Sequence, residues 1–192
     1  MPDKDKREKR DGSYFAPGRK RQRKMLMIIG PVIAAIIALA VVGSFLYKPT
    51  PVEAIDGISC NTVETLNFHI HAHLDVILNG QNYTVPAGIG IPGNKCFFWL
   101  HTHTMDGVIH MESPRQMNFS LGQFLDIWEQ TKNDPTLTSA LATGPVSAYV
   151  DGVKQSGDYK SIQLNSREEI ALVIGTGTST IPKTYPSNAP PT

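Results

Sequence analysis

Residues 68–78 read FHIHAHLDVIL, and apolar and polar side chains alternate over the first nine of these positions. A period of two is typical of a β-strand with one buried face. The apolar residues therefore predict a face that packs on the core. The histidines His69, His71 and His73 form a row on the opposite face.

The segments next to this strand predict two hairpins. Asn79-Gly80 suits a type I′ turn, which returns the chain as a second strand over residues 83–86. Residues 96–104 and 108–112 predict the second hairpin, closed around Asp106-Gly107. These turns predict that part of the sheet is antiparallel.

One helix and further strands follow. Ser120 is a suitable N-cap because Gln123 stands three positions later, and apolar residues recur at helical spacing, so residues 120–131 predict a helix. Three more segments predict strands, at residues 146–150, 162–164 and 169–175. The order predicts an α+β fold with a small antiparallel or mixed sheet crossed by one helix, similar to a β-grasp with an added hairpin.

An apolar segment near the N-terminus predicts one transmembrane helix. Residues 25–47 contain no Asp, Glu, Lys, Arg or His, and a helix of that length extends over roughly 34 Å, against a bilayer core of about 30 Å. Residues 1–24 carry ten Lys or Arg residues and four acidic ones. Positive flanks stay in the cytoplasm, so we expect a basic cytoplasmic tail and an outward-facing domain at the cell membrane. Nucleic acid is not an expected partner, because the basic run directly precedes the apolar segment.

The remaining boundaries follow from composition. Residues 48–59 show no apolar period and are expected to form a linker. Residues 176–192 are rich in Pro, Ser and Thr and are expected to be disordered. Residues 60–175 are then the extracytoplasmic, histidine-rich domain. Val52-Glu53-Ala54 resembles a small-residue cleavage site, so a removable signal peptide is the alternative to a retained anchor.

The two cysteines, Cys60 and Cys96, both follow the predicted membrane segment. Oxidising conditions outside the cell favour a disulfide bond between them. This bond would close a loop of some 36 residues and stabilise the fold by roughly 3–4 kcal/mol. The alternative is that a cysteine is a metal ligand.

All six histidines of the chain lie within 42 consecutive residues. If the second hairpin turns at its Asp-Gly pair, His103 lies opposite His110. His101 then lies opposite Glu112, and opposite side chains are about 4.5–5.5 Å apart at Cβ. A turn centred one residue earlier changes the partners but keeps the same side chains on one face. These four residues are the predicted primary metal ligands.

The row on the first strand adds to this set. His69, His71 and His73 either complete the site or surround a second ion, and Asp75 is expected as a ligand or as an acceptor for an imidazole N–H. Imidazole and carboxylate ligands favour copper or zinc over calcium or magnesium. Three methionines near the second hairpin either add thioether ligands for Cu(I) or fill the core, and these are Met105, Met111 and Met117.

Several motifs are distributed over the predicted domain. They read HIHAHL at residues 69–74, VPAGIGI at 85–91, LHTH at 100–103, GVIHME at 107–112 and LGQF at 121–124. Together they resemble a family of uncharacterised membrane-anchored proteins of archaea and some bacteria. The resemblance covers most of residues 60–175. It implies an extracytoplasmic globular domain after one anchor helix, and it implies no activity.

Three functions fit these features. The first is a binding protein that captures copper or zinc at the outer membrane surface or delivers the ion. The second is a metal-dependent enzyme in which three histidines hold the ion, Glu112 is a ligand or general base, and an open position admits water or substrate. The third is an interaction domain without metal, whose histidine face titrates near neutral pH and docks a membrane-protein partner.

Overall fold

The computed structural model describes residues 19–46 and 52–190. These residues form two compact units, an N-terminal helix and a domain that begins at Val52. Most of the expected cytoplasmic tail lies outside the described residues, as do residues 47–51 of the expected membrane helix and linker. The last two residues of the expected disordered tail also lie outside them.

The N-terminal unit is a single helix, α1 (Arg19–Leu46). Its segment Met25–Leu46 has a mean hydropathy of 2.9 and is long and apolar enough to cross a membrane. A retained anchor and a signal sequence both satisfy these criteria of length and composition.

The domain is α+β, as predicted, and its described residues contain eleven strands and two α-helices. The first strands are β1 (Cys60–Asn61), β2 (Phe68–Leu78), β3 (Gln81–Tyr83), β4 (Phe97–Phe98), β5 (Leu100–His101) and β6 (Val108–Ser113). The later elements are β7 (Phe119–Ser120), α2 (Leu121–Lys132), α3 (Pro135–Thr143), β8 (Val146–Val150), β9 (Val153–Lys154), β10 (Gln163–Leu164) and β11 (Glu169–Ile174). Short 3-10 helices span Pro92–Asn94 and Tyr159–Ser161.

The main sheet is mixed and has the strand order β5-β6-β2-β11-β8-β9, with β3 also paired to β2. Strand β2 runs parallel to β11 and antiparallel to β6. It lies in the interior of the sheet, where one face is buried and both edges are paired. Two small antiparallel ladders join β1 to β4 and β7 to β10. The finer likeness to a β-grasp is not confirmed.

Helix α2 packs on the apolar side of the sheet. Its predicted capping box is confirmed, because the Gln123 N–H donates to Ser120 Oγ at 3.2 Å and the Ser120 N–H donates to Gln123 Oε1 at 3.0 Å. Phe124 and Trp128 are buried in one core with Leu74 of β2. Burial of each such side chain contributes about 1.5–3 kcal/mol. This packing fixes which face of β2 is apolar and places the histidine row on the other face.

The domain has a second helix, so the expectation of a single helix is corrected. Helix α3 begins at Pro135, and the Asp134 carboxylate caps it by accepting a hydrogen bond from the Leu137 N–H at 3.1 Å. An N-cap Asp followed by Pro is a start signal for a helix. Leu137 is the one buried residue of α3, so the helix lacks a pronounced apolar period.

The first hairpin turns where the sequence predicts. Asn79 and Gly80 have φ angles of 50° and 79°, as a type I′ turn requires. The return strand β3 spans Gln81–Tyr83 instead of residues 83–86. Pairing continues directly from the turn, with Leu78 opposite Gln81.

The second hairpin has a different register from the one predicted first. His101 lies opposite His110, so the predicted pairing of His103 with His110 is wrong, and the register is that of a turn centred one residue earlier. The ladder ends at His101, because Thr102 hydrogen-bonds with another loop instead of with β6. Its N–H donates to the Ile89 carbonyl at 3.1 Å, and its hydroxyl donates to the Pro86 carbonyl at 2.8 Å.

Cys60 and Cys96 form a disulfide bond, as predicted. Neither thiol is therefore available as a metal ligand. The bond ties β1 to the start of β4, next to the pairing of Cys60 with Phe98. It thereby holds the segment that leads from β1 to β2 beside β5.

The double variant Cys60→Ser/Cys96→Ser should have a free energy of unfolding lower by about 3–4 kcal/mol, because the unfolded chain regains the freedom of a loop of 36 residues. Urea denaturation of the full-length protein in detergent, followed by tryptophan fluorescence, measures this change. Both tryptophans, Trp99 and Trp128, lie in the domain. Reductant should shift the wild-type curve and leave the variant unchanged. Equal midpoints for the two proteins would contradict the prediction.

The ends of the domain pack against its body. Ile55 and Ile58 pair through their backbones and are buried, so contacts begin before the boundary at residue 60 expected from the sequence. Residues 176–190 contain no helix or strand. Tyr185 belongs to this segment, and the guanidinium of Arg167, outside it, lies 5.9 Å from the centre of the Tyr185 ring. The disorder expected for the tail stays a prediction.

Candidate metal centre

Three neighbouring strands each carry a histidine, and these three histidines lie side by side across the sheet. His71 of β2 lies opposite His110 of β6, and His110 lies opposite His101 of β5. In the next row His69 lies opposite Glu112. Side chains at alternate positions of a strand share one face, so all five project from the polar face of the sheet.

Two loops add two more side chains to this face. His103 follows β5, and its Nε2 is 3.1 Å from His101 Nε2. Glu64 lies between β1 and β2, and its Oε1 is 3.1 Å from His103 Nε2. Glu64 was not predicted, because it belongs to no sequence motif; it follows β1 by three residues, next to the disulfide of Cys60. We call the seven residues the His/Glu cluster: His69, His71, His101, His103, His110, Glu64 and Glu112.

The potential ligand atoms of the cluster converge. His71 Nε2 is 2.9 Å from His69 Nε2 and 3.1 Å from His110 Nδ1. Glu112 Oε1 is 3.2 Å from His69 Nε2, 3.6 Å from His110 Nδ1 and 3.9 Å from His101 Nε2. Ligand atoms bound at about 2.0–2.1 Å around a tetrahedral ion are about 3.3 Å apart. The cluster could therefore hold a metal ion.

The cluster is buried on one side and open on the other. His101 and Glu112 have exposed fractions of 0% and 3%. The side chains of His69, His103 and Glu64 are exposed by 34%, 37% and 35%. An ion in the cluster would have fixed ligands beneath it and solvent-facing ligands above it.

The environment of His101 favours the neutral imidazole, which is the form that binds a metal ion. Burial lowers the pKa of His101 to about 4, although its hydrogen bond to the Phe98 carbonyl and the charge of Glu112 act to raise it. The Nδ1–H donates to that carbonyl at 2.8 Å, which leaves the Nε2 lone pair facing the cluster. Metal-bound histidines are oriented by such an acceptor on the second ring nitrogen.

The loop that includes Gly90 packs closely against the backbone of Leu100 and His101. A Cβ at Gly90 would collide with the Leu100 carbonyl oxygen and lie 3.0 Å from His101 Cβ, at a φ of +71°. Glycine avoids both the contact and the left-handed strain. The VPAGIGI motif therefore contributes to placing His101.

In the metal-free full-length protein, the His101 ring should stay neutral until the pH falls to about 4. The pKa of the unfolded chain is about 6.5, so the folded-state pKa is the lower one. The stability contributed by neutral His101 is full above pH 6.5 and is lost as the pH falls towards 4. An NMR titration of the imidazole shifts, with His101→Gln to assign the signal, measures this pKa. A midpoint near pH 6.5 would show that the ring is not desolvated.

Glu112 is held as a carboxylate at the base of the cluster. Burial acts to raise its pKa, but the hydrogen bond with His110 and electrostatic interactions with the neighbouring histidines outweigh burial and lower the pKa. Its Oε2 is buried and has no hydrogen-bond partner among the described residues. An unpaired buried carboxylate oxygen is costly, and a bound cation would remove that cost.

His73 shares the strand face of His69 and His71 but lies outside the cluster. Its Nδ1 is 2.9 Å from Glu169 Oε2, and its Nε2 is 2.7 Å from the Asp106 carbonyl oxygen. Burial acts to lower the pKa of His73, but the hydrogen bond and charge of Glu169 outweigh it and raise the pKa. The oxygens at its two ring nitrogens favour the protonated form, and His73 forms with Asp75 and Glu169 a separate group of possible metal ligands. Asp75 lies beside His73, with Oδ2 3.8 Å from Nδ1.

Two of the three methionines pack in the core. Met111 is fully buried in the core behind the polar face, and Met117 packs against the same core. Met105 is 70% exposed in the loop after β5. The converging atoms of the cluster are nitrogens and oxygens.

Comparisons with protein-family models, with curated proteins and with solved structures found no match to this chain. The family resemblance stays an expectation from the motifs. Inference about function therefore rests on the chemistry of the His/Glu cluster.

Proposed function

We propose that this chain is a membrane-anchored protein whose extracytoplasmic domain binds a zinc or copper ion and captures or delivers it. The observation that carries the proposal is the convergence of five imidazoles and two carboxylates on one face of the sheet. Most of these residues form groups whose ligand atoms lie within 4.8 Å of one another. Neutral imidazole together with carboxylate suits zinc and copper, whereas calcium and magnesium prefer oxygen ligands alone.

The ligand set favours the divalent ions Zn(II) and Cu(II). Soft thiolate or thioether ligands select Cu(I), but both cysteines are in the disulfide, and the nearby methionines lie in the core or in solvent. His101 is neutral at physiological pH, as a ligand must be.

The open side of the cluster supports capture and release. Structural zinc sites are closed by four protein ligands, whereas sites that exchange a ligand keep an open position. Here His69, His103 and Glu64 face solvent. An arriving ion could meet these residues first and then reach the buried His101.

The proposed location rests on the N-terminal segment and on the disulfide. The apolar helix follows a strongly basic segment, which favours a cytoplasmic N-terminus and an outer domain. Disulfides persist in oxidising compartments, in agreement with this orientation.

A protease added to intact cells should remove the domain and leave a protected N-terminal fragment of the chain. The expected fragment includes residues 1–24, because positive flanks are retained in the cytoplasm. Immunoblotting with tags at both ends measures the result, and cells with permeabilised membranes provide the control. A domain that resists digestion until the membrane is opened would contradict the orientation, and a mature chain that begins after residue 54 would indicate a signal peptide.

Metal titration of the full-length protein in detergent, after chelator treatment, tests the function. We expect stoichiometric binding of zinc or copper and no binding of calcium at the same concentrations. Ligand imidazoles must be neutral, so binding should weaken as the pH falls through about 6.5, the ordinary pKa of free histidine. If no ion binds, the proposal fails and the interaction domain becomes the better hypothesis.

A metal-dependent enzyme is the second candidate. The open side leaves a position for water or substrate, and Glu64 lies beside His103, where it could act as a general base. Turnover of hydrolysable model esters by the zinc-loaded protein, lost in Glu64→Gln with zinc retained, would favour this candidate. Fast exchange of the ion without turnover would favour capture and delivery.

A further inference from the structure

We infer that the His/Glu cluster is a dinuclear centre, in which two divalent zinc or copper ions are bridged by the Glu112 carboxylate. This inference rests on the proposed metal-binding function and extends it from one ion to two. It follows from the number of ligand atoms, from their division into two groups and from the position of Glu112.

The first group of three ligands comes from β2 and β6. His71 Nε2 lies 2.9 Å from His69 Nε2 and 3.1 Å from His110 Nδ1. All three atoms lie within 4.8 Å of one another. These spacings are close to the edge of about 3.3 Å between ligands on a tetrahedral ion. The group can therefore cap one ion.

The second group of three comes from β5 and the two loops. His103 Nε2 lies 3.1 Å from His101 Nε2 and 3.1 Å from Glu64 Oε1. His101 Nε2 and Glu64 Oε1 are 3.9 Å apart. Ligand atoms of His101 and His103 also lie within 4.8 Å of those of His110 and Glu112, so His110 adjoins both groups. The second group can cap an ion of its own.

Glu112 lies between the two groups. Its Oε1 is 3.2 Å from His69 Nε2 in the first group and 3.9 Å from His101 Nε2 in the second. Its Oε2 is buried without a hydrogen-bond partner among the described residues. A carboxylate can bridge two ions through its two oxygens, one to each ion, and two-metal sites hold their ions about 3.5–4 Å apart.

A single ion would not use this set of residues. Zinc takes four ligands in structural sites and three protein ligands in catalytic ones, whereas seven side chains converge here. With one ion in the second group, His69 and His71 would remain in contact through two nitrogens 2.9 Å apart. Two ions account for all seven side chains, with Glu112 shared.

Counting bound ions in the full-length protein tests the inference. The chelator-treated protein in detergent is titrated with Zn(II) by calorimetry and with Cu(II) by electron paramagnetic resonance. We expect two ions per chain. The signal intensity of isolated Cu(II) should decrease when the second equivalent is added, because bridged Cu(II) ions couple magnetically. Calorimetry is expected to give the same count of two for Zn(II).

Three variants and one control separate the parts of the centre. His69→Ala and His103→Ala each remove one exposed ligand from one group, so each should bind one ion instead of two. Glu112→Gln should lower the affinity for the second ion by at least about 10-fold, as loss of a supporting group does. It should also abolish the magnetic coupling between the two ions. Glu129→Gln, an exposed carboxylate on α2, should leave both ions in place.

The outcomes distinguish the inference from the function on which it rests. One ion per wild-type chain would overturn the dinuclear centre and leave metal binding intact. Two ions without magnetic coupling, or coupling that survives in Glu112→Gln, would overturn the bridge. No bound ion would overturn both the inference and the proposed function.

Discussion

The double variant His71→Gln/His101→Gln should lose stoichiometric binding of zinc and copper. These two imidazoles are the most buried of the cluster, with exposed fractions of 3% and 0%, and each belongs to a different group of three ligands. Structural zinc sites bind with about 10–16 kcal/mol. Removing a main ligand from each group should therefore cost on the order of 5 kcal/mol, or about 10⁴-fold in affinity.

Competition titration against a chromogenic chelator measures this loss in the full-length protein. Glutamine is close to histidine in size, and the tryptophan fluorescence of the metal-free variant checks that the domain is folded. The control is Glu129→Gln, which should bind like the wild type. If the folded double variant keeps wild-type affinity, the ion binds elsewhere and the cluster is not the metal centre.

His73→Leu should destabilise the domain by about 3–5 kcal/mol while leaving the metal stoichiometry unchanged. The substitution removes the imidazolium that pairs with Glu169 at 2.9 Å, and Glu169 is only 1% exposed. An uncompensated charge at a buried position carries a cost of this size. The cluster keeps its ligands, because neither nitrogen of His73 faces it.

Urea denaturation of the metal-free protein measures the change in stability, and calorimetry measures the metal. The double variant His73→Leu/Glu169→Leu is the matched control, since it removes both charges. It should regain most of the lost stability, because replacing a buried ion pair by apolar residues is often neutral. Loss of a bound ion in His73→Leu would instead place His73 among the metal ligands.

The faces of the central strand could be predicted from sequence because the period of two is a local property. Ile70, Ala72 and Leu74 pack on the apolar side as predicted, and the histidines take the other side. The α+β class and the capping box of α2 were predicted from similarly local signals. The disulfide was predicted from an even number of cysteines, both placed after the expected membrane segment.

The early end of the hairpin ladder could not be predicted, because contacts with a distant loop contribute to it. Thr102 hydrogen-bonds to the Ile89 and Pro86 carbonyls, and turn residues alone do not reveal that competition. His73 is separated from the rest of its row by Glu169, 96 positions later in the chain. Glu64 reaches the cluster from a loop held by the disulfide, without any periodic signal. These contacts are tertiary, so only the folded chain defines them.

Anomalous diffraction from crystals of the zinc-loaded full-length protein, recorded at the zinc edge, tests the central claim most directly. We predict an anomalous peak within about 2.0–2.2 Å of His101 Nε2 and of at least two further ligand atoms of the His/Glu cluster. A peak beside His73 and Glu169, or one at the surface away from every imidazole of the cluster, would contradict the account.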